Sequence, residues 1–267
     1  MVKITVCGAA GRMGRRIVAC AAEDKEVQVV GAVEMKGCPN IGKDAGELAG
    51  TGELGVQVTD DIAAAVKNAD VVIDFSFHAA APRIAECCAA AGKPLVVGTT
   101  SLTADELEAV RKQAKAIPVL IAPNVSVGAN LLFNKAAEIA KILGPEYDVE
   151  VIEAHHRMKK DAPSGTAMRI AEAIAEATGR VLEKCGVYGR KGDDALRQPG
   201  EIGVHAVRAG DIVGDHTVIF CTQGERIELI HRAHSRDTLA KGALRAAKFT
   251  AKAKPGRPYS MQDVLGL

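Results

Sequence analysis

The stretch from Val2 to Glu34 constrains the fold more than any other. Val2 to Cys7 is a short β-rich run ending in Gly8-Ala9-Ala10-Gly11-Arg12-Met13-Gly14, and a helical pattern follows from Arg12 to Ala22. A second β-rich run, Val27 to Val33, closes a strand–helix–strand unit whose two strands must lie parallel. The glycines are spaced GxxGxxG rather than GxGxxG, so the turn by itself says little. Its setting says more: glycines here allow a tight turn, close approach of backbone to a pyrophosphate and close helix–strand packing. The helix N-terminus adds unpaired N–H groups and a partial positive charge. Glu34 ends the second strand, twenty residues after Gly14, where a carboxylate reaches ribose hydroxyls. Dinucleotide binding is the expectation; a purely structural Gly-rich turn with a surface Glu is the alternative.

The neighbours of Glu34 bear on which dinucleotide. A 2′-phosphate would bring about two negative charges close to that carboxylate. Met35 cannot offset them, whereas Lys36 could. NADH is therefore expected to be used at least as well as NADPH.

Beyond a Gly-rich loop, Gly37 to Gly55, with a short helix around Asp44 to Leu48, the α/β alternation resumes. Strands are expected at Ala69–Phe75, Pro94–Val97 and Pro118–Ala122, with helices at Ala79–Ala91 and Ala104–Ala116. Continuous apolar strands alternating with helices predict a doubly wound parallel sheet of Rossmann type. Ligands of such sheets lie at the carboxyl ends of the strands, where Asp74-Phe75-Ser76, Gly98-Thr99-Thr100 and Asn124 fall.

After Val125 the pattern changes. A helix at Val127–Leu143 precedes strand-like runs at Tyr147–His155, Ile202–Arg208, His216–Thr222 and Glu225–Ala233, the last three joined by Gly/Asp turns. Such spacing predicts a second, α+β domain with a mixed or antiparallel sheet. A helix at Thr238–Ala253 follows, Pro255 to Pro258 is read as a terminal loop, and Met261 to Leu265 is expected to pack on the first domain. The expected division is 1–126 for dinucleotide binding and 127–235 for substrate binding and oligomerisation, with the tail 236–267 returning to the first domain.

Composition excludes several classes. A net charge of +1, no Trp and only eight Tyr and Phe argue against a nucleic-acid partner. No apolar run is long enough to span a bilayer, and the chain goes straight into a strand with no room for a signal peptide. Seven scattered cysteines without a CxxC pair point to reduced thiols in the cytoplasm, and no Cys/His spacing matches a metal-ligand set.

The densest chemistry lies at Glu153–Ala167, EAHHRMKKDAPSGTA, a strand-to-helix loop. In an extended strand Glu153 and His155 share one face and His156 takes the other. Lys159 can turn back toward His155. Ser164 reads as the N-cap of a helix whose first turn, Gly165 and Thr166, offers N–H groups to a carboxylate. Cations on one side and a helix start on the other suit a substrate with two carboxylates, and a histidine supplies a proton near neutral pH. The bland alternative is a basic, solvated strand end before a capped helix.

This stretch resembles the signature of the 4-hydroxy-tetrahydrodipicolinate (dihydrodipicolinate) reductase family. So do GAAGRMGR at the start, DAGELAG at 44–50, VGTT at 97–100, PNVSVGANLL at 123–132, VRAGDIVGDHTVIF and HRAHSRDTLAKGA, in that order over nearly the whole chain. The resemblance implies NAD(P)H-dependent reduction of a cyclic dicarboxylate in lysine and diaminopimelate synthesis, with hydride delivered to ring C4 and loss of water. It implies His155 as proton donor, Lys159 as a second donor that also holds substrate, and His156, Ser164, Gly165 and Thr166 as substrate contacts. It implies cofactor contacts from Gly8, Ala9, Ala10, Gly11, Arg12, Met13, Glu34, Gly98, Thr99, Thr100, Ala122, Pro123, Asn124 and Val125, and a homotetramer; Phe75, at its strand end, is expected among the cofactor contacts, and no metal is expected. Met35 departs from members that carry Arg there. Two other readings stay open: a different two-domain nicotinamide enzyme, and a dinucleotide sensor without turnover, which would not need His155 and Lys159.

Overall fold

Short apolar runs alternate with amphipathic ones through the first part of the chain, and the computed structural model, which describes residues 1–267, folds them in that order. The elements are β1 (Val2–Cys7), α1 (Arg12–Glu23), β2 (Val27–Val33), α2 (Ala45–Ala49), β3 (Val58–Thr59), α3 (Ile62–Val66) and β4 (Val71–Asp74). Then come a 3-10 turn (His78–Ala80), α4 (Ala81–Ala90), β5 (Leu95–Val97), α5 (Ala104–Gln113) and β6 (Val119–Ile121).

With β12 (Pro258–Tyr259) from the end of the chain, the sheet order is β12-β6-β5-β4-β1-β2-β3, all parallel. Strand order reverses at β1, which lies between β2 and β4, so crossovers cover both faces. One face buries Ile4, Val6 and Ile73 under Ile17 and Val18 of α1 and Ala243, Leu244 and Ala247 of α9 (Asp237–Thr250). The other buries Val72, Leu95 and Val97 under Ile84, Ala85 and Val110 of α4 and α5. The chain divides into two compact units, Met1–Val127 with Asp237–Leu267, and Gly128–Arg236.

The second unit contains most of α6 (Val127–Leu143), then β7 (Asp148–His155), α7 (Gly165–Ala177), α8 (Leu182–Cys185), β8 (Gly186–Val187), β9 (Ile202–Arg208), β10 (Gly214–Thr222) and β11 (Glu225–Ala233). Its sheet runs β11-β10-β7-β9-β8, antiparallel on one side of β7 and parallel on the other, so the sheet is mixed. Alternation sets its faces. Val149, Val151, Glu153 and His155 of β7 point inward with His216, Val218 and Phe220 of β10, beneath α6 and α7. The cross-strand row Ile230–Thr217–Ile152–His205 lies on the opposite, open face.

Two details differ from the sequence reading. Pro258 is not loop; together with Tyr259 it pairs with Val119 and Leu120 as an edge strand, the setting where a residue without an N–H donor is tolerated. The helix expected from Ala79 opens as a 3-10 turn, with Pro82 in the first turn of α4. No helix is long and apolar enough to cross a membrane. The final helix, α10 (Met261–Leu265), buries Met261 in the first-unit core.

Candidate active site

The carboxyl ends of β1, β4 and β5 meet at the Gly-rich turn. Gly8 has a φ of +76°, and a Cβ there would stand 2.5 Å from the Phe75 carbonyl oxygen. A Cβ on Gly14 would stand 2.0 Å from the Gly8 carbonyl oxygen, so α1 packs against the turn only because that position has no side chain. Gly8 and Ala9 donate N–H bonds to the Val33 carbonyl at 2.9 and 3.2 Å, and Arg15 Nε donates to the Ala10 carbonyl at 2.8 Å. Gly11 caps α1 without a side-chain hydrogen bond, Arg12 is exposed and Met13 half-buried. A cradle with so little side chain at the start of a three-turn helix fits a pyrophosphate. Glu34 leans onto it: Oε1 accepts the Ala10 N–H at 2.9 Å, while Met35 beside it is 74% exposed.

Asp74, fully buried at the end of β4, joins the neighbouring strand ends. Oδ1 accepts the Ser76 N–H at 2.9 Å, Oδ2 accepts the Thr99 hydroxyl at 3.0 Å, and its carbonyl accepts the Gly98 N–H at 2.9 Å. Burial pushes its carboxyl pKa up, against the bonds from Ser76 and Thr99. The Phe75 ring lies over Gly98, where a Cβ would come within 2.1 Å of Cζ. Thr100 is exposed and Ser101 has a φ of +64°, a left-handed backbone uncommon outside glycine. On β6's side, Ala122 donates its N–H to the Val97 carbonyl at 2.9 Å, Ala122 and Val125 are buried, Pro123 is exposed, and Asn124 Oδ1 accepts the Ser126 N–H. The first-unit residues named from the sequence thus lie at the carboxyl ends of the sheet's strands.

In the second unit the side chains converge on Glu153, which is fully buried. Arg208 binds it through two parallel bonds of 2.8 Å, the Ser164 N–H donates to Oε1 at 2.9 Å, and His155 Nδ1 lies 2.6 Å from Oε2. Burial raises the Glu153 pKa, but Arg208, His155 and the Ser164 N–H together hold it below the ordinary carboxylate value. Burial lowers the His155 pKa, Glu153 opposes this, and Lys159 and Arg208 add to it. At neutral pH the pair is accordingly a carboxylate and a neutral imidazole. Lys159 Nζ is paired with Asp161 at 2.9 and 3.0 Å. His156 is half-buried.

Ser164 caps α7, its hydroxyl accepting the Ala167 N–H at 3.2 Å. Gly165, first in the helix, is exposed, and a Cβ there would meet nothing. His216 stands behind, Nε2 lying 3.3 Å from Ser164 Oγ, its ring edge-on to His155. The sequence reading did not single out Arg208 or His216. No group of three or more His, Cys, Asp or Glu is arranged to hold a metal.

A Gly-rich turn at the switch point of a doubly wound sheet suits a dinucleotide's pyrophosphate, and a buried histidine–carboxylate pair is suited to proton transfer. Proteins that couple the two are NAD(P)H-dependent oxidoreductases, and this chain falls in that class. The family model for the dihydrodipicolinate reductase N-terminus matches residues 2–125, and that for its C-terminus matches residues 128–265. The chain belongs to the dihydrodipicolinate reductase family. It is 52% identical over 267 residues to a 4-hydroxy-tetrahydrodipicolinate reductase of Citrifermentans bemidjiense, covering 100% of both chains. It is 50% identical over 266 residues to one of Syntrophus aciditrophicus, covering 100% of this chain and 99% of that one. Among solved structures, a dipicolinate-bound dihydrodipicolinate reductase of Paenisporosarcina sp. TG-14 has the same fold, with a TM-score of 0.78 at 22% identity over 98% of each chain. An amine dehydrogenase of Mycobacterium smegmatis shares it more loosely, with a TM-score of 0.60 at 16% identity over 96% of this chain and 94% of that one.

Proposed function

We propose that this chain catalyses the NAD(P)H-dependent reduction of 4-hydroxy-tetrahydrodipicolinate to tetrahydrodipicolinate, a step in lysine and diaminopimelate biosynthesis. The observation that carries the reading is the second-unit constellation: His155 backed by buried Glu153, with Lys159 and the open start of α7 nearby. Relatives of about half identity bear that activity in their names, and the Paenisporosarcina protein binds dipicolinate, a ring dicarboxylate.

One carboxylate of the substrate lies at the first turn of α7, on the backbone N–H groups of Gly165 and Thr166, with Ser164 holding that turn in place. Lys159, drawn from Asp161, and His156 hold the substrate's other end. A reduced nicotinamide, when bound, supplies the hydride that adds to ring C4. One proton enters with it and the 4-hydroxyl departs as water. His155 takes up a proton at Nε2 and delivers it from there as the imidazolium, since Nδ1–H is committed to Glu153. Lys159 is the second group able to supply that one proton.

The cofactor is held by Gly8 to Met13 and Glu34, and by Phe75, Gly98–Thr100 and Ala122–Val125 at the neighbouring strand ends. NADH serves at least as well as NADPH, because exposed Met35 offers no cation to a 2′-phosphate. The protein works as a homotetramer joined through the open face of the five-stranded sheet, where Ile152, Val207 and Ile230 are 36%, 44% and 50% exposed. Seven free cysteines agree with work in the reducing cytoplasm.

The test is the loss of reduced-nicotinamide absorbance when the purified protein meets substrate generated in place from pyruvate and aspartate semialdehyde by the preceding synthase. Oxidation that depends on the synthase is expected, with NADH no worse than NADPH. A kcat/KM favouring NADPH by about tenfold or more would overturn the cofactor assignment. No oxidation with either cofactor, from a folded protein that still binds NADH, would favour a sensor.

A further inference from the structure

The carboxylate behind His155 is placed where substrate binding alone does not require it. Glu153 is fully buried, and a buried carboxylate is costly unless donors surround it. Four do: two from the Arg208 guanidinium, one from the Ser164 backbone and one from His155 Nδ1. An ionised carboxylate only accepts, so the neutral imidazole must carry its hydrogen on Nδ1.

We propose that Glu153, oriented by Arg208, is a positioning residue for this reaction: it fixes the tautomer of His155 so that Nε2 is the nitrogen that exchanges the proton. The inference rests on the reading of His155 as the proton donor. The other groups facing the ring leave Glu153 as its one anionic contact. Arg208 comes from β9, Lys159 and Asp161 from the loop after β7, His216 from β10 and, beyond it, His231 from β11. Lys159 and Arg208 disfavour the imidazolium, Asp161 is engaged with Lys159, and buried His216 stays neutral. Glu153 therefore favours protonation of His155, whereas Arg208 opposes it, both through its own charge and by neutralising Glu153.

These roles have opposite signs, which separates them from a general loss of structure. Histidine labelled with ¹³C and ¹⁵N reports the ring directly in the free protein, with the His155 signal assigned by its loss in His155→Gln. In the unmutated protein the neutral ring is expected as the Nδ1–H tautomer; finding Nε2–H would overturn the proposal without any variant. Glu153→Gln should lower the His155 titration midpoint by about one pH unit or more, and Arg208→Gln should raise it. The high-pH decline of kcat should move with the midpoint in each variant, with KM changed less than kcat. Midpoints that stay fixed, or that move in the same direction in both variants, would overturn the proposal. Opposite midpoint shifts that the kcat profile ignores would uphold control of the ring by Glu153 and remove His155 from the proton transfer instead.

Discussion

His216 stands edge-on to His155, their ring centroids 5.3 Å apart, and burial followed by the nearby His155 and His231 lowers its pKa to about 3. The unfolded chain would bind this proton near the ordinary histidine value of 6.5. Between those values the unfolded state carries the proton and the folded state does not, so the contribution favouring the fold is fully present above about 6.5 and is lost as pH falls toward 3. His216→Asn, which keeps a partner for Ser164 but cannot titrate, should lose less stability than the unmutated protein between pH 6.5 and 4.5. Urea unfolding at the two pH values measures the difference; equal losses would show that His216 titrates normally.

His155→Gln should lower kcat by about 10²–10⁴-fold, the usual share of a general acid. Steady-state rates at saturating substrate and NADH check this, and an unchanged kcat would remove His155 from the chemistry. NADH affinity should stay within about twofold, since the residues proposed to hold the cofactor lie in the first unit.

The proposed double role of Lys159, donor and holder of substrate, predicts that Lys159→Ala lowers kcat and raises KM, each by about tenfold, the scale of one charge-assisted hydrogen bond. A rise in KM alone would make it a binding residue only. Its present partner, Asp161, is 61% exposed at the side chain, so releasing the ammonium to a substrate costs little.

Gly14→Ala would drive a methyl group to 2.0 Å from the Gly8 carbonyl oxygen, which cannot move without opening the phosphate cradle. NADH affinity, read by fluorescence titration, should fall by about tenfold or more, while the His155 ring titration in the other unit stays as it was. Unchanged affinity would show that the turn does not carry the pyrophosphate.

Much of the constellation in each unit is legible in the sequence because its signals are local. The turn at Gly8–Gly14 sits between a strand and a helix, Ser164 precedes its helix directly, and Glu153 and His155 are two apart on one strand, which forces a shared face. Arg208 and His216 escaped because their partners lie 55 and 52 residues away in sequence. A signal existed for His216: it has the same parity as Val218 and Phe220, both inward, so a histidine was being carried into a core. Glu34 was legible as the acidic end of β2, but not its lean onto the Ala10 N–H, because a side-chain rotamer leaves no trace in spacing. The edge strand at Pro258–Tyr259 was missed since two residues cannot show alternation.

Hydride delivery to ring C4 of the substrate is proposed above and would leave an isotopic mark. NADH deuterated at the transferring position of nicotinamide C4 should give tetrahydrodipicolinate one mass unit heavier, with the deuterium at ring C4 by NMR, and His155→Gln should slow its formation without moving the label. Label at another ring position, or product formed without label while NADH is consumed, would contradict hydride delivery to ring C4.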